Sequence, residues 1–193
     1  MPRSPAKPVA QSVAPPHTPL SSTPMKLSLF SDYSLRTLLF AALKGETFQI
    51  DEVTSAYGIS RHHLAKVVQN LSHLGYLETR RGRKGGIRLA VRPDEVRLGQ
   101  LLRKSEEGSV LLECFDPTLN TCPITGCCRL KGILAGAICA FYGELDRYTL
   151  QDLVEENYRP ALSRILLSAG SSQPESVPDL AAPPRGERLK LAF

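Results

Sequence analysis

A four-residue turn between two helix-forming segments constrains the fold of this chain more than any other feature. The turn is Tyr57-Gly58-Ile59-Ser60, and it contains the glycine expected in a tight helix-turn-helix. Residues 51–57 are predicted to form the helix before the turn, and residues 61–74 the helix after it, with Ser60 as its N-cap. The second of these helices has one apolar side, made of Leu64, Val67, Val68, Leu71 and Leu74. We therefore expect that side to face a core.

The segments on either side extend this pattern into a recognisable order. Before the turn, leucine and alanine recur at helical spacing from Leu35 to Leu43, with Ser31 or Asp32 placed to cap a first helix. After it, residues 76–80 and 86–91 have the composition of two short strands joined by a glycine-rich tip. Three helices followed by a hairpin predict a mainly α fold with a small β-hairpin wing, a winged helix-turn-helix.

Positive charge is concentrated on the third predicted helix and on the hairpin. The chain has 24 Lys and Arg against 19 Asp and Glu, and residues 80–92 contain six of these cations and no acid. A generic surface intersperses both signs, so this segment points to DNA phosphates. The residues predicted to contact double-stranded DNA are Ser60, Arg61, His62, His63 and Lys66 on the helix, and Arg80, Arg81, Arg83 and Lys84 on the wing. The alternatives are a merely solvated cationic helix and a winged helix that binds protein.

The cysteines form a second constellation, because all of them lie in one short stretch. They are odd in number: Cys114, Cys122, Cys127, Cys128 and Cys139. Clustered thiols in a chain without a secretory signal favour metal or redox chemistry over disulfides, and thiolates select zinc, copper(I) or iron–sulfur clusters. The two-residue spacing usual for zinc is missing, which lowers zinc without excluding it. We expect one cysteine of the vicinal pair to bind, and Cys139 to pack as a small residue.

The remaining segments define the predicted organisation. Residues 1–24 and 168–193 are rich in proline and are predicted to be disordered. Between them we assign a DNA-binding domain at 25–104, a cluster-binding loop at 105–127 and, at 128–167, a long dimerisation helix followed by a C-terminal helix. An apolar stripe invites a partner helix at Leu130, Ile133, Leu134, Ala137, Ile138, Phe141 and Leu145. No membrane span and no secretory signal is recognisable, so we expect a cytoplasmic protein. No catalytic arrangement is recognisable either, so we expect that it is not an enzyme.

Five segments resemble the family of iron–sulfur regulators that contains IscR and the nitric-oxide-sensitive repressor NsrR, with NsrR the closer likeness. They are Met25-Lys-Leu-Ser-Leu-Phe-Ser-Asp-Tyr-Ser-Leu-Arg36, Tyr57-Gly-Ile-Ser-Arg61, Gly85-Gly-Ile-Arg-Leu89, Cys128-Arg-Leu-Lys131 and Tyr148-Thr-Leu-Gln-Asp-Leu-Val154. The resemblance runs from about residue 25 to residue 156. It implies a homodimer on a palindromic operator, nitric oxide as the signal, and control of nitric-oxide detoxification genes.

The same resemblance implies a set of cluster ligands. Cys114, Cys122 and Cys128 match the three cysteines of one subunit, with Cys127 as the alternative to Cys128, and Asp32 matches a fourth ligand from the other subunit of a 4Fe-4S cluster. IscR-like proteins have a histidine three residues after the last cysteine, where this chain has Lys131. The alternatives are an IscR-like 2Fe-2S regulator, a thiol switch at Cys127 and Cys128, and a zinc-stapled interaction module without a DNA partner.

Overall fold

The structure, a computed structural model, describes residues 26–82, 85–108 and 110–168. Over these residues the chain has six α-helices and one two-stranded sheet, which confirms the mainly α fold with a hairpin wing. The elements are α1 (Leu29–Lys44), α2 (Ile50–Tyr57), α3 (Arg61–His73), β1 (Leu77–Arg80), β2 (Gly86–Leu89), α4 (Leu98–Ser105), α5 (Arg129–Leu145) and α6 (Arg159–Leu166). Both predicted disordered tails, apart from Ser168, and the wing residues Arg83 and Lys84 lie outside the described residues.

The core lies where α1, α3 and the wing meet. Leu64, Val67, Val68 and Leu71 of α3 are buried, as their spacing predicts, and they pack in one cluster with apolar residues of α1. Leu150, far along the chain, returns to this cluster and is fully buried. The recognition-helix candidate therefore has one side anchored in the core, which leaves its other side to solvent.

The first helix begins earlier than the sequence pattern predicts. Ser28 is its N-cap, and the Ser28 hydroxyl accepts a hydrogen bond from the Ser31 backbone N–H at 3.1 Å. The prediction of Ser31 or Asp32 as the cap is therefore wrong, because helical backbone already starts at Leu29. Asp32 lies instead in the first turn, where its negative charge complements the helix dipole.

The wing is fixed to the rest of the fold through the start of β2, next to the hairpin tip. Strands β1 and β2 are antiparallel, with Leu77 opposite Leu89. Phe48, which is buried, forms two backbone hydrogen bonds with Ile87 at 2.9 and 2.8 Å. A side chain at Gly86 has no room, because a Cβ there would lie 2.4 Å from the Thr47 Cγ2 atom and 2.8 Å from the Phe48 carbonyl oxygen. The hairpin is thus held against the loop between α1 and α2.

Two features of the second half differ from the sequence expectations. Helix α4 was not predicted, although it buries Leu98, Leu101 and Leu102. The predicted apolar stripe does form a helix, α5, but none of its residues is buried in the single described chain, and Cys139, expected to pack, is exposed. Among the described residues no helix is both long and apolar enough to cross a membrane.

Candidate functional site

The beginning of α3 forms an exposed polar surface. Ser60 caps the helix, with its hydroxyl accepting a hydrogen bond from the His63 backbone N–H at 3.3 Å. The residues predicted to contact DNA from this helix are all exposed: Ser60, Arg61, His62, His63 and Lys66. Because Leu64 and Val67 hold the opposite side in the core, these side chains point together toward solvent. The helix therefore presents a surface of the kind that enters a major groove.

An acidic residue that the sequence analysis did not identify joins this surface. Asp51, in the first turn of α2, forms an ion pair with Arg61 across the helix-turn-helix. Lys66, on the same surface, forms no ion pair with any described residue. The two cations therefore differ: Arg61 is held by a carboxylate, and Lys66 is available to a phosphate.

On the wing, one glutamate engages two of the arginines. Glu78 accepts hydrogen bonds from Arg80 at 2.7 Å and from Arg88 at 2.6 Å, and these bonds hold the pKa of the Glu78 carboxyl below its ordinary value. Arg81 is exposed and forms no ion pair within the described part of the chain. Among the described wing residues, Arg81 is thus the cation best placed to contact a phosphate.

Asp32, the predicted ligand on α1, has a partner within its own chain. Its carboxylate accepts a hydrogen bond from the Arg36 guanidinium at 2.9 Å, which raises the pKa of Arg36. The same guanidinium lies 5.6 Å from the ring centre of Tyr57, the last residue of α2. Burial raises the pKa of Tyr57 to about 12, with the charge of Arg36 opposing that rise. Asp32 is therefore linked through Arg36 to the residue that begins the helix-turn-helix turn.

The predicted cysteine ligands lie on one loop that is tied together by a glutamate. Cys114 is the middle residue of a short 3-10 helix at Glu113–Phe115. The Glu113 carboxylate accepts hydrogen bonds from the backbone N–H and the hydroxyl of Thr121, the latter at 2.7 Å, and these bonds lower the pKa of Glu113. Each of these two residues immediately precedes a predicted ligand, Cys114 or Cys122, so the pair joins the two segments that carry them.

Further hydrogen bonds shape the rest of the loop. The Asn120 side-chain oxygen accepts from the Cys122 N–H at 3.1 Å, and the Thr125 hydroxyl donates to the Cys122 carbonyl oxygen at 2.9 Å. Cys128 is the N-cap of α5, a position whose backbone N–H groups and helix dipole favour negative charge. Cys127, its neighbour, is more exposed. The loop therefore places Cys122 and Cys128 in partly protected positions and leaves Cys127 at the surface.

These side chains are not gathered around a metal position. Within the part of the chain that the structure describes, no three His, Cys, Asp or Glu side chains are arranged to hold a metal ion. The chemistry of the donor set nevertheless fits an iron–sulfur cluster, because Cys114, Cys122 and Cys128 are half-buried thiols with no disulfide on a single loop. The fourth predicted ligand, Asp32, lies on α1, outside that loop.

Comparison with known proteins identifies the family. A family model described as Rrf2, iron-dependent transcriptional regulator, matches residues 27–156. The chain belongs to the Rrf2 family. It is 46% identical over 133 residues to the HTH-type transcriptional regulator NsrR of Bacillus subtilis (strain 168), covering 68% of this chain and 91% of that protein. It is 47% identical over 134 residues to NsrR of Geobacillus kaustophilus (strain HTA426), covering 68% and 91% respectively. The resemblance to NsrR predicted from the sequence is thereby confirmed.

Solved structures of Rrf2-type regulators agree with the fold. The oxidized form of Staphylococcus aureus CymR matches with a TM-score of 0.53 and 26% identity, covering 68% of this chain and 97% of that one. IscR of T. potens matches with a TM-score of 0.54 at 20% identity, which shows the fold alone, over 69% of this chain and 89% of that one. As a member of the Rrf2 family, the chain is a DNA-binding transcriptional regulator, and the prediction that it is not an enzyme is confirmed.

Proposed function

We propose that this Rrf2 regulator is a repressor of nitric-oxide detoxification genes, and that its operator affinity is set by a 4Fe-4S cluster. The cluster ligands in this proposal are Cys114, Cys122 and Cys128 of one subunit and Asp32 of the partner subunit. The single observation that carries it is the cysteine loop, which holds three half-buried thiols with no disulfide and in which hydrogen bonds between Glu113 and Thr121 join the segments of Cys114 and Cys122. The names of the relatives, NsrR, support the same assignment.

The proposed thiolate and carboxylate ligands differ in how tightly they bind the iron of such a cluster. Thiolate is the soft ligand that iron–sulfur clusters take, whereas a carboxylate is harder and binds their iron less tightly. Held by these residues, the cluster would supply iron that is reactive toward nitric oxide. Of the four proposed ligands, Asp32 is the weakest, so the link to the partner subunit is expected to be lost first.

The ion pair between Asp32 and Arg36 supports a route from this ligand to DNA. The Arg36 guanidinium donates to one oxygen of the Asp32 carboxylate at 2.9 Å. Iron bound by the same carboxylate would neutralise part of its charge, so ligation would weaken this ion pair. A change in that pairing acts on the guanidinium that lies over Tyr57, at the end of α2 and next to the turn into α3. In this proposal, cluster ligation shifts the balance between two arrangements of the helix-turn-helix.

The exposed face of α5 supports the homodimer that this ligand set requires. Leu130 is 56% exposed and Ile133 is 58% exposed, although both are large and apolar. Nothing lies within 4 Å of a Cβ built at Gly132 or Gly136, so a second helix has space to approach the backbone closely. A symmetric pair of α5 helices would cover these side chains and would present two α3 helices to a palindromic operator.

Native mass spectrometry of the chain purified without oxygen tests this function. We expect a dimer with one 4Fe-4S cluster per subunit, converting to nitrosylated species after addition of nitric oxide. Cys114→Ala, Cys122→Ala and Cys128→Ala should each abolish iron retention, whereas Cys127→Ala and Cys139→Ala, which remove exposed thiols from the same region, should retain the cluster. Asp32→Ala should keep a cluster whose reaction with nitric oxide is altered.

The other outcomes are separable. A 2Fe-2S mass would make the chain an IscR-like regulator. If Cys127→Ala loses the cluster and Cys128→Ala keeps it, Cys127 is the ligand in place of Cys128. A dimer without iron that forms a disulfide between Cys127 and Cys128 would indicate a thiol switch. Tight zinc without retention of any duplex at physiological salt would overturn both the cluster and the operator and leave an interaction module.

A further inference from the structure

The ion pair between Asp51 and Arg61 joins the two helices of the DNA-binding motif at its solvent side. Asp51 lies in the first turn of α2, Arg61 is the first residue of α3, and each side chain is 64% exposed. The pair therefore lies on the surface that a duplex would meet. Because both side chains are exposed, the ion pair adds little to the free energy of unfolding. Its main effect is to orient the Arg61 guanidinium.

The first turn of α2 is itself held in place. The Gln49 backbone N–H donates to the Glu52 carboxylate at 2.8 Å, and the same carboxylate forms an ion pair with Lys44 of α1. The Thr54 hydroxyl donates to the Asp51 carbonyl oxygen at 2.8 Å. The backbone that carries Asp51 is thus braced against α1, so the carboxylate that pairs with Arg61 extends from an anchored position.

An arginine that is held by a carboxylate is expected to contact DNA differently from one that has no ion pair. The guanidinium has five N–H donors in a rigid plane, so a carboxylate can engage one nitrogen while others stay available to the O6 and N7 acceptors of guanine. An arginine without such a carboxylate partner can bind a phosphate as readily as a base edge. Lys66, with no ion pair among the described residues, is a reference for that second behaviour.

We propose that Asp51 is a positioning residue that sets the base preference of Arg61 in favour of guanine. It acts in two ways: it orients the guanidinium for a base edge, and its own negative charge disfavours a phosphate at the same place. The inference rests on the proposed contact of Arg61 with operator DNA. A more ordinary role for an acid in this position is to complement the dipole of α2, which would change the stability of the helix and leave the base preference of Arg61 as it is.

Selection from a random library measures base preference without knowledge of the operator. The full chain, purified without oxygen, is used to select from duplexes with 26 random base pairs, and the bound pool is sequenced for the wild type and for each variant. We expect Asp51→Asn to reduce the preference for guanine about tenfold at one position of each half-site. The same variant should bind an arbitrary duplex more tightly, with a salt slope steeper by about 0.9 per subunit as Arg61 takes a phosphate.

Asp94→Asn is the matched control. It also removes an exposed carboxylate from an arginine, Arg92, with which Asp94 pairs at 2.5 Å, but it does so away from α3. It should leave the preference at every position unchanged. If Asp51→Asn also leaves every position unchanged, or flattens all positions equally together with a lower melting temperature, the positioning role is refuted.

Arg61→Ala separates this inference from the proposed function. If Arg61→Ala flattens one position and Asp51→Asn flattens the same one, both claims stand. If only Arg61→Ala does so, the arginine reads a base and the role of Asp51 is refuted. If Arg61→Ala changes no position, the proposed contact of Arg61 with the operator fails, whatever Asp51 does.

Discussion

Replacing Arg81 with alanine is expected to reduce the salt dependence of DNA binding by a predictable amount. Arg81 is exposed immediately after β1 and has no ion pair among the described residues, so it is available to a phosphate. Each phosphate contact on B-DNA contributes about 0.9 to the slope of log K against log salt. Across a fourfold rise in salt, one contact therefore costs about 3.5-fold in affinity and the two contacts of a dimer about 12-fold. Wild type should lose that much more affinity than Arg81→Ala between 50 and 200 mM potassium chloride.

Because the contact is independent of sequence, a labelled mixed-sequence duplex and fluorescence anisotropy suffice for this measurement. Arg80→Ala is the matched control: it removes an adjacent arginine that is already engaged by Glu78 at 2.7 Å, so its effect on the slope should be smaller. Equal slopes for wild type and Arg81→Ala would show that Arg81 does not contact phosphate. A larger effect for Arg80 than for Arg81 would refute the argument from ion pairing.

Two further substitutions test contacts around the motif. Gln49→Ala removes the 2.7 Å hydrogen bond from the Gln49 amide to the Gly85 carbonyl oxygen, next to the start of β2. The contact between the wing and Phe48 should then open about fivefold more often, measured as hydrogen exchange of the Ile87 amide; unchanged exchange would contradict this. Tyr57→Phe removes a buried hydroxyl that has no hydrogen-bond partner among the described residues, so urea unfolding near pH 7 should show equal or greater stability. In the wild type, stability should fall as the pH rises from about 10 toward about 12, because the unfolded chain loses the Tyr57 proton first; the phenylalanine variant should lack that contribution.

The elements that were predicted well are those fixed by nearby residues. The extents of α2 and α3 and the cap at Ser60 follow from helical periodicity and from one glycine turn, and the hairpin follows from its glycine-rich tip. The start of α1 was misplaced because three serine or aspartate residues compete for the cap, and backbone geometry selects Ser28. Helix α4 was missed, since its eight residues offer only a short apolar pattern.

The candidate site was predicted in part, and the rest depends on contacts between separate elements. Exposure of Arg61 and Lys66 follows from the apolar side of their own helix. The pairing of Arg61 with Asp51 joins residues ten positions apart on different helices, which no local pattern encodes. The pairing of Arg88 with Glu78 follows from the hairpin only once its register is known, because the two residues lie opposite each other. The convergence of the cysteines depends, in our proposal, on a cluster and a partner subunit that a single chain does not contain.

Control of DNA binding by the cluster is tested by the affinity of the protein for one operator duplex before and after reaction with nitric oxide. The duplex is the strongest sequence selected from the random library, and binding is measured by anisotropy without oxygen at fixed salt. We expect tight binding by the 4Fe-4S dimer and a loss of affinity of at least tenfold when nitric oxide is added, with a mixed-sequence duplex affected far less. Equal affinity for the selected duplex in both states would contradict control of DNA binding by the cluster.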